Sequence, residues 1–232
     1  MPDLPSSIAP ALAEEIRAVY AFYAALAPQL DPDHALGGKL LFAGLLNDQS
    51  CRMIRAANIA GAASLAVSSS PDELRKALHN GVVDFRVTSL DEAVRILKNE
   101  IRKRQPVAVA VQGVPLELVQ EMIVRGLQPD LLATTPQELE PARAAFLERG
   151  SALVEPCSAQ NLEKLRIWAV PVAWHARMAE LDAQLQELLP PDAYAARRWL
   201  RLSRRYLGAP ARKLRSVTCS DQLAAAFARI LI

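Results

Sequence analysis

Between Gly37 and Pro156 the chain alternates short apolar runs with longer stretches whose apolar residues recur every three or four positions. The short runs predict strands and the longer stretches amphipathic helices, and their alternation predicts βαβ units around a parallel sheet. Six strands are expected: Leu40 to Ala43, Ser64 to Ser68, Val83 to Val87, Val107 to Val111, Asp130 to Thr134 and Ala152 to Pro156. Leu40–Ala43 and Val107–Val111 carry no charge, so both are expected in the centre of the sheet, covered on both faces. The helices between strands carry their own start and stop signals. Ser70-Pro71-Asp72-Glu73 supplies a cap, a proline at the first helical position and a capping-box acid, and Asn80-Gly81 ends that helix. Ser89 is expected to cap the next helix, whose Leu90, Val94, Leu97 and Ile101 share a face; Pro115 and Gly126 bracket the one after it.

Outside this succession the pattern predicts helices only: Ile8 to Leu26 before the sheet, then Asn161 to Leu189, Asp192 to Tyr206 and Ser220 to Leu231. Right-handed crossovers turn the succession into a doubly wound α/β sheet. A chain of 232 residues with 51% apolar content can bury a full core without staples. Its three cysteines, Cys51, Cys157 and Cys219, are too far apart for a zinc site and odd in number for a disulfide framework. That usage suits a reducing compartment. The first residues lack a basic stretch followed by an apolar core, and no apolar run approaches the ~20 residues that span a bilayer, so a cytoplasmic protein without membrane contact is expected.

The net charge of +2 hides an asymmetry. Asp192 to Arg215 holds eight Lys/Arg against one Asp, which leaves about −5 for the rest of the chain. Arg197, Arg198, Arg201, Arg204 and Arg205 surround Trp199 and Leu202 on one expected helix. Such a face can meet an anion or nucleic acid, or it can be a solvated outer surface with Trp199 and Leu202 packed on the sheet domain. No aromatic-interleaved nucleic-acid motif accompanies it, and nucleic acid is the disfavoured partner. His34, His79 and His175 stand on separate elements without a second ligand at metal spacing, so no metal site is expected. Cys157 lies in the turn after the sixth strand with no histidine near in sequence, and a buried thiol is the expected role.

In an open α/β sheet, ligands sit beyond the carboxyl ends of the strands. The turn after the first strand, Gly44-Leu45-Leu46-Asn47-Asp48-Gln49-Ser50, has one glycine, two bulky leucines and an acid, a poor cradle for a phosphate. The turn after the second has Ser68-Ser69-Ser70, the fourth Gln112-Gly113-Val114-Pro115, the fifth Thr135-Pro136-Gln137-Glu138 and the sixth Cys157-Ser158-Ala159.

The segments GGKLLFAGLL (37–46), RAANIAGAASLAV (55–67), PDELRKALHNGVVDFRVTSLDEAVRIL (71–97) and VRGLQPDLLATT (124–135) resemble the NAD-binding, Rossmann-like domain of urocanase (urocanate hydratase). LERGSALVEP (147–156) and LLPPDAYAARRWLRLSRRYLGAPARKL (188–214) resemble later segments of that family, in the same order along the chain. The resemblance implies a Rossmann-like, mainly parallel sheet with N- and C-terminal helical extensions. It divides the chain into an N-terminal helical segment (1–36), a Rossmann-like domain (37–157) and C-terminal helices packed on the same domain (158–232). Urocanase is a lyase of histidine catabolism in which NAD⁺ acts as an electrophile toward the imidazole of urocanate while acid and base groups of a separate core handle water.

Carried over by residue, the family's NAD site falls on Gly44, Asn47, Ser68, Gly113, Thr134 and Thr135. Most of these positions are substituted. The family's glycine run is replaced by Leu45 to Cys51, its acidic pair by Ser68 and Ser70, and its Gly-Asn-Ala by Gly113-Val114-Pro115. Its polar run falls on Ala133 to Leu139 without the Asp or His and its Tyr-Gly-Asn-Asn on Pro156 to Ala159; the family's catalytic core begins well before the domain, where only 36 residues stand here, so that core is not expected in this sequence. No catalytic residue is transferable, and no cofactor is expected unless the altered loop still holds NAD. Three readings follow: a pseudoenzyme serving as a small-molecule- or partner-binding module; a hydratase-class protein, or one subunit beside a separate core chain; and an anion or nucleic-acid binder acting through the Arg-rich helix 197–205. A homo-oligomer or a separate core chain is the partner these imply.

Overall fold

A computed structural model describes residues 9–133 and 139–231. The chain groups into two compact units, one of residues 22–156 and one that joins the described residues up to 21 to those from 157 onward. The second boundary lies one residue from the sequence-based one at 157/158; the first falls inside the N-terminal helix, α1 (Pro10–Leu26), rather than after it.

In the larger unit the strands β1 (Leu40–Leu45), β2 (Ala63–Ser68), β3 (Phe85–Val87), β4 (Ala108–Gln112), β5 (Leu131–Ala133) and β6 (Ala152–Val154) alternate with α2 (Asp48–Ala60), α3 (Pro71–His79), α4 (Leu90–Arg102), α5 (Pro115–Val124) and α6 (Glu140–Glu148). All strand pairs here are parallel, in the order β3-β4-β2-β1-β5-β6. β1 and β4 each have neighbours on both sides, as their uncharged sequences require. The sheet faces differ in bulk because alternate residues point to opposite sides. Leu40, Phe42, Leu65, Val67, Val109 and Val111 pack with Leu90, Leu97, Leu118, Met122 and Phe146 of α4, α5 and α6 in one apolar core. The opposite positions on β2 and β4, Ser64, Ala66, Ala108 and Ala110, are small and fully covered, with Leu41 of β1 as the large residue beside Ser64. Ala56, Ala57 and Ala60 of α2 are likewise buried, so that helix approaches β1 and β2 closely.

The amino edge of the sheet is held by one device used twice. α3 and α5 each end in a glycine with positive φ, Gly81 at 63° and Gly126 at 65°, where a side chain is disfavoured. In each, the next amide reaches back to close the helix: Val82 N–H to Ala77 O, and Leu127 N–H to Met122 O. Each chain then arrives at an aspartate that clasps one residue of a central strand. Asp84 donates its N–H to Ala108 O and accepts the Ala108 N–H on Oδ2 at 2.8 Å. Asp130 donates its N–H to Leu40 O, accepts the Leu40 N–H on Oδ2 at 2.9 Å, and pairs through Oδ1 with Lys39. Asp130→Ala is expected to cost about 1.5–3 kcal/mol, since a partly buried N–H loses a charged acceptor; urea unfolding measures it, and Asp130→Asn should retain part of the stability.

The smaller unit corrects the expectation of helices alone after the sheet. Besides α7 (Met178–Leu188), α8 (Tyr194–Tyr206) and α9 (Asp221–Leu231), it contains an antiparallel ribbon of β7 (Leu165–Ala169) and β8 (Leu214–Thr218). Ile167 and Trp168, expected on a helix, lie in β7, paired with Ser216 and Arg215. The two-residue alternation of β7 is masked in sequence because Ile167, Val170 and Trp174, like Trp168 and Val172, fall three or four residues apart, at helical spacing; Val172 proves 81% exposed. β8 is masked because Arg215, at its second position, is buried. One cluster joins Val170, Leu181, Leu185, Leu200, Val217, Phe227 and Leu231, with Trp168 stacked on Phe227.

Candidate functional site

The carboxyl rim of the sheet is where the fold places ligands, and it brings four of the six expected site residues into one row. Gly113, after β4, donates its N–H to Ser68 O at the end of β2. On the other side of β2, Gly44 pairs with Ala66, and Leu46 N–H bonds to Val67 O at 2.8 Å. Asn47 follows as the cap of α2. Thr134 and Thr135 lie outside the described residues.

The local chemistry of this row turns inward. Gly44 has φ 72° at a shift of register between β1 and β2, so glycine serves the bend there. Leu46 is buried and fills the turn. At the start of α2, where a phosphate would take free amides, the protein supplies its own acceptors: Asn47 Oδ1 accepts Ser50 N–H at 2.9 Å and Ser50 Oγ accepts Asn47 N–H at 2.8 Å. Ser50 was not singled out from sequence, although Asn47 and Ser50 stand at capping-box spacing.

Glu73, expected from its spacing to close a capping box on Ser70, takes another partner, because Ser68 Oγ has already accepted the Ser70 N–H. From the first turn of α3 it reaches back to the end of β2, where Ser68 Oγ donates to its Oε2 at 2.6 Å while accepting Ser70 N–H at 3.0 Å. Every helix that begins at this rim has an acid in its first turn: Asp48 in α2, Asp72 and Glu73 in α3, Asp91 and Glu92 in α4, Glu117 in α5 and Glu140 in α6. These carboxylates offset the partial positive charge of the helix ends, and Asp72, Asp91 and Glu140 also pair with Arg75, Arg125 and Arg143. A dinucleotide pyrophosphate would meet capped amides and first-turn carboxylates along the described part of this rim. At α5 the turn is apolar instead, with Val114 and Leu116 about half exposed, and proline removes the first amide.

The Rossmann-like domain model of the urocanase family matches residues 18–142, more than half of the chain. This chain belongs to the urocanase family. The match covers the sheet through β5 and the start of α6, and the segment from 143 onward lies beyond it. Within the match, the urocanase-like motifs Gly81-Val82-Val83-Asp84 and Gly126 to Asp130 build the amino edge of the sheet. The positions expected to hold NAD lie at the opposite, carboxyl edge.

The remaining candidates sit elsewhere. Among the described residues no group of three or more His, Cys, Asp or Glu is arranged to hold a metal ion. His175 bonds through Nε2 to Val170 O, and His34 and His79 are exposed. Cys157 is half-buried, with its N–H bonded to Ala21 O. Burial pushes the Cys219 thiol up to about 11, far from a reactive thiolate at neutral pH. Burial also raises Tyr20, against the opposing pull of its hydrogen bond to Thr218. Both groups are favoured in their protonated forms in the folded state. Their contribution is therefore intact below the unfolded values, near 9 for the thiol and 10 for the phenol, and is lost as pH rises through the folded ones. The melting temperature is expected to fall between pH 9 and about 11, and Cys219→Ala should flatten the start of that decline.

The arginine-rich helix is largely committed to its own unit. Arg197 Nη1 donates to Gln186 O and Leu189 O, closing the end of α7. Arg204 pairs with Asp182 at 3.0 Å, and Arg205 lies over the Tyr206 ring. Trp199 is buried within the smaller unit, its Nε1 bonded to Ser216 Oγ. Among the described residues no helix is long and apolar enough to cross a membrane.

Proposed function

We propose that this urocanase-family chain is a pseudoenzyme: a Rossmann-like scaffold that neither holds NAD nor hydrates urocanate, and that serves as a binding module. The observation that carries the reading is the start of α2. Its amides are capped by Asn47 and Ser50, Leu46 fills the turn before it, and Asp48 adds negative charge where two phosphates would lie. The module binds a small molecule or a macromolecular partner; the apolar gap inside the sheet unit, lined by Phe42, Val119, Leu132 and Phe146 among others, has no room for a water molecule and is not that site. Three free cysteines suit a reducing, cytoplasmic setting.

Calorimetry with NAD⁺ and the ultraviolet absorbance of urocanate test this together. The expected outcome is no binding heat, no dinucleotide released on denaturation and no loss of urocanate absorbance. Micromolar binding of NAD⁺, or hydration of urocanate by the purified chain, would overturn it.

A further inference from the structure

β3 is the terminal strand of the six-stranded sheet, paired with β4 on one side only. An open strand edge is a template for another strand, and proteins commonly protect it with charges that repel a newcomer. The charges here do the opposite. Asp84, Phe85 and Arg86 are consecutive and exposed; Phe85 is 47% exposed, and Leu78, on the helix that leads into this strand, is 43% exposed. Asp84 and Arg86, two residues apart, lie on one side of the strand, and Phe85 lies on the other.

An identical strand laid antiparallel about a two-fold axis through Phe85 sets Phe85 against Phe85. The same axis sets each Asp84 against Arg86 of the other copy. Asp84 spends Oδ2 on the Ala108 N–H and has its second oxygen for a cation, while Arg86 has no ion-pair partner among the described residues. A register centred on Arg86 would oppose two guanidinium groups, so the charges also select the alignment. Pairing is confined to the centre of the strand, because in this register Val87 faces Val83 of the other copy, whose N–H is already turned to Ala77 O at 3.5 Å.

We propose that β3 is a self-association edge: two copies of this chain pair antiparallel through Asp84-Phe85-Arg86 and join their sheets into one. The occupant is a second copy because the pattern is complementary to itself. Three residues bury less than the roughly 800 Å² per partner of a standard interface, so flanking α3, with Leu78, and α4 contribute, and the dimer is a weak one, with a dissociation constant on the order of 10 μM. The inference is independent of whether the carboxyl rim holds a dinucleotide.

Sedimentation equilibrium of the full chain across this concentration range tests it, with wild type, Phe85→Lys and Arg86→Glu compared. Both substituted side chains are exposed, so melting curves should be unchanged. Wild type should dimerise reversibly. Phe85→Lys should raise the dissociation constant about 30-fold or more, the loss expected of a central aromatic anchor. Arg86→Glu should do likewise, because its carboxylate would face Asp84 of the second copy. A wild type that stays monomeric up to about ten times the proposed constant, or a dimer that both variants leave intact, overturns the proposal.

Discussion

Asp182→Ala is expected to destabilise the smaller unit by about 3–5 kcal/mol. Asp182, on α7, accepts from Arg215 Nε at 2.5 Å on one carboxylate oxygen and pairs with Arg204 Nη1 at 3.0 Å on the other. Arg215 is 1% exposed, at the second position of β8, and its Nη1 donates to Arg212 O and Leu214 O. Removing the carboxylate therefore strands a charged guanidinium in a place that water cannot reach. The pair as a whole is a different matter: taking both charges out of water opposes their attraction, so replacing the two together should cost less than the sum of the single losses. The combination Asp182→Leu with Arg215→Met is expected to recover much of the stability that Asp182→Ala removes. Denaturant unfolding of Asp182→Leu, Arg215→Met and the combination measures this, and additive losses would show that the pair does not act as a unit.

Much of the larger unit was legible because its signals are local. Ser70 and Ser89 cap α3 and α4 as their spacing predicts, accepting from Glu73 and Glu92 N–H. The uncharged runs at β1 and β4 had nowhere to go except the centre of the sheet. β7 and β8 were not legible, because neither can be recognised without its partner. β7 borrows a helical pattern from the residues after it, and β8 carries an arginine whose burial depends on Asp182, more than thirty residues away. The rim divides along the same line. That the turn after β1 is a poor phosphate cradle could be read from Leu45, Leu46 and Asp48, whereas the route of Glu73 back to Ser68 depends on how α3 leaves the sheet. The family-like motifs were recognisable for a physical reason too. Gly81, Asp84, Gly126 and Asp130 perform backbone tasks that few other residues can perform, whether or not the rim opposite binds anything.

Trp199→Ala should be as damaging as loss of Asp182, at about 3–5 kcal/mol, but by another mechanism. Trp199 is fully buried, and the cationic residues around it in sequence conceal how apolar its side of α8 is. Tyr20 meets its ring edge-on, with centroids 4.7 Å apart, so truncation leaves a cavity that also removes an aromatic partner. The indole contributes a polar bond as well, from Nε1 to Ser216 Oγ at 3.0 Å, on a serine that is itself buried. Trp199→Phe separates the two contributions, since it keeps most of the volume and removes the donor; its cost should be near 1–3 kcal/mol, that of an unsatisfied buried hydroxyl. If Trp199→Phe were as destabilising as Trp199→Ala in urea unfolding, the hydrogen bond and not the packing would dominate. If both were neutral, α8 would be a surface arm, and its arginines would regain their claim as a contact for an anionic partner.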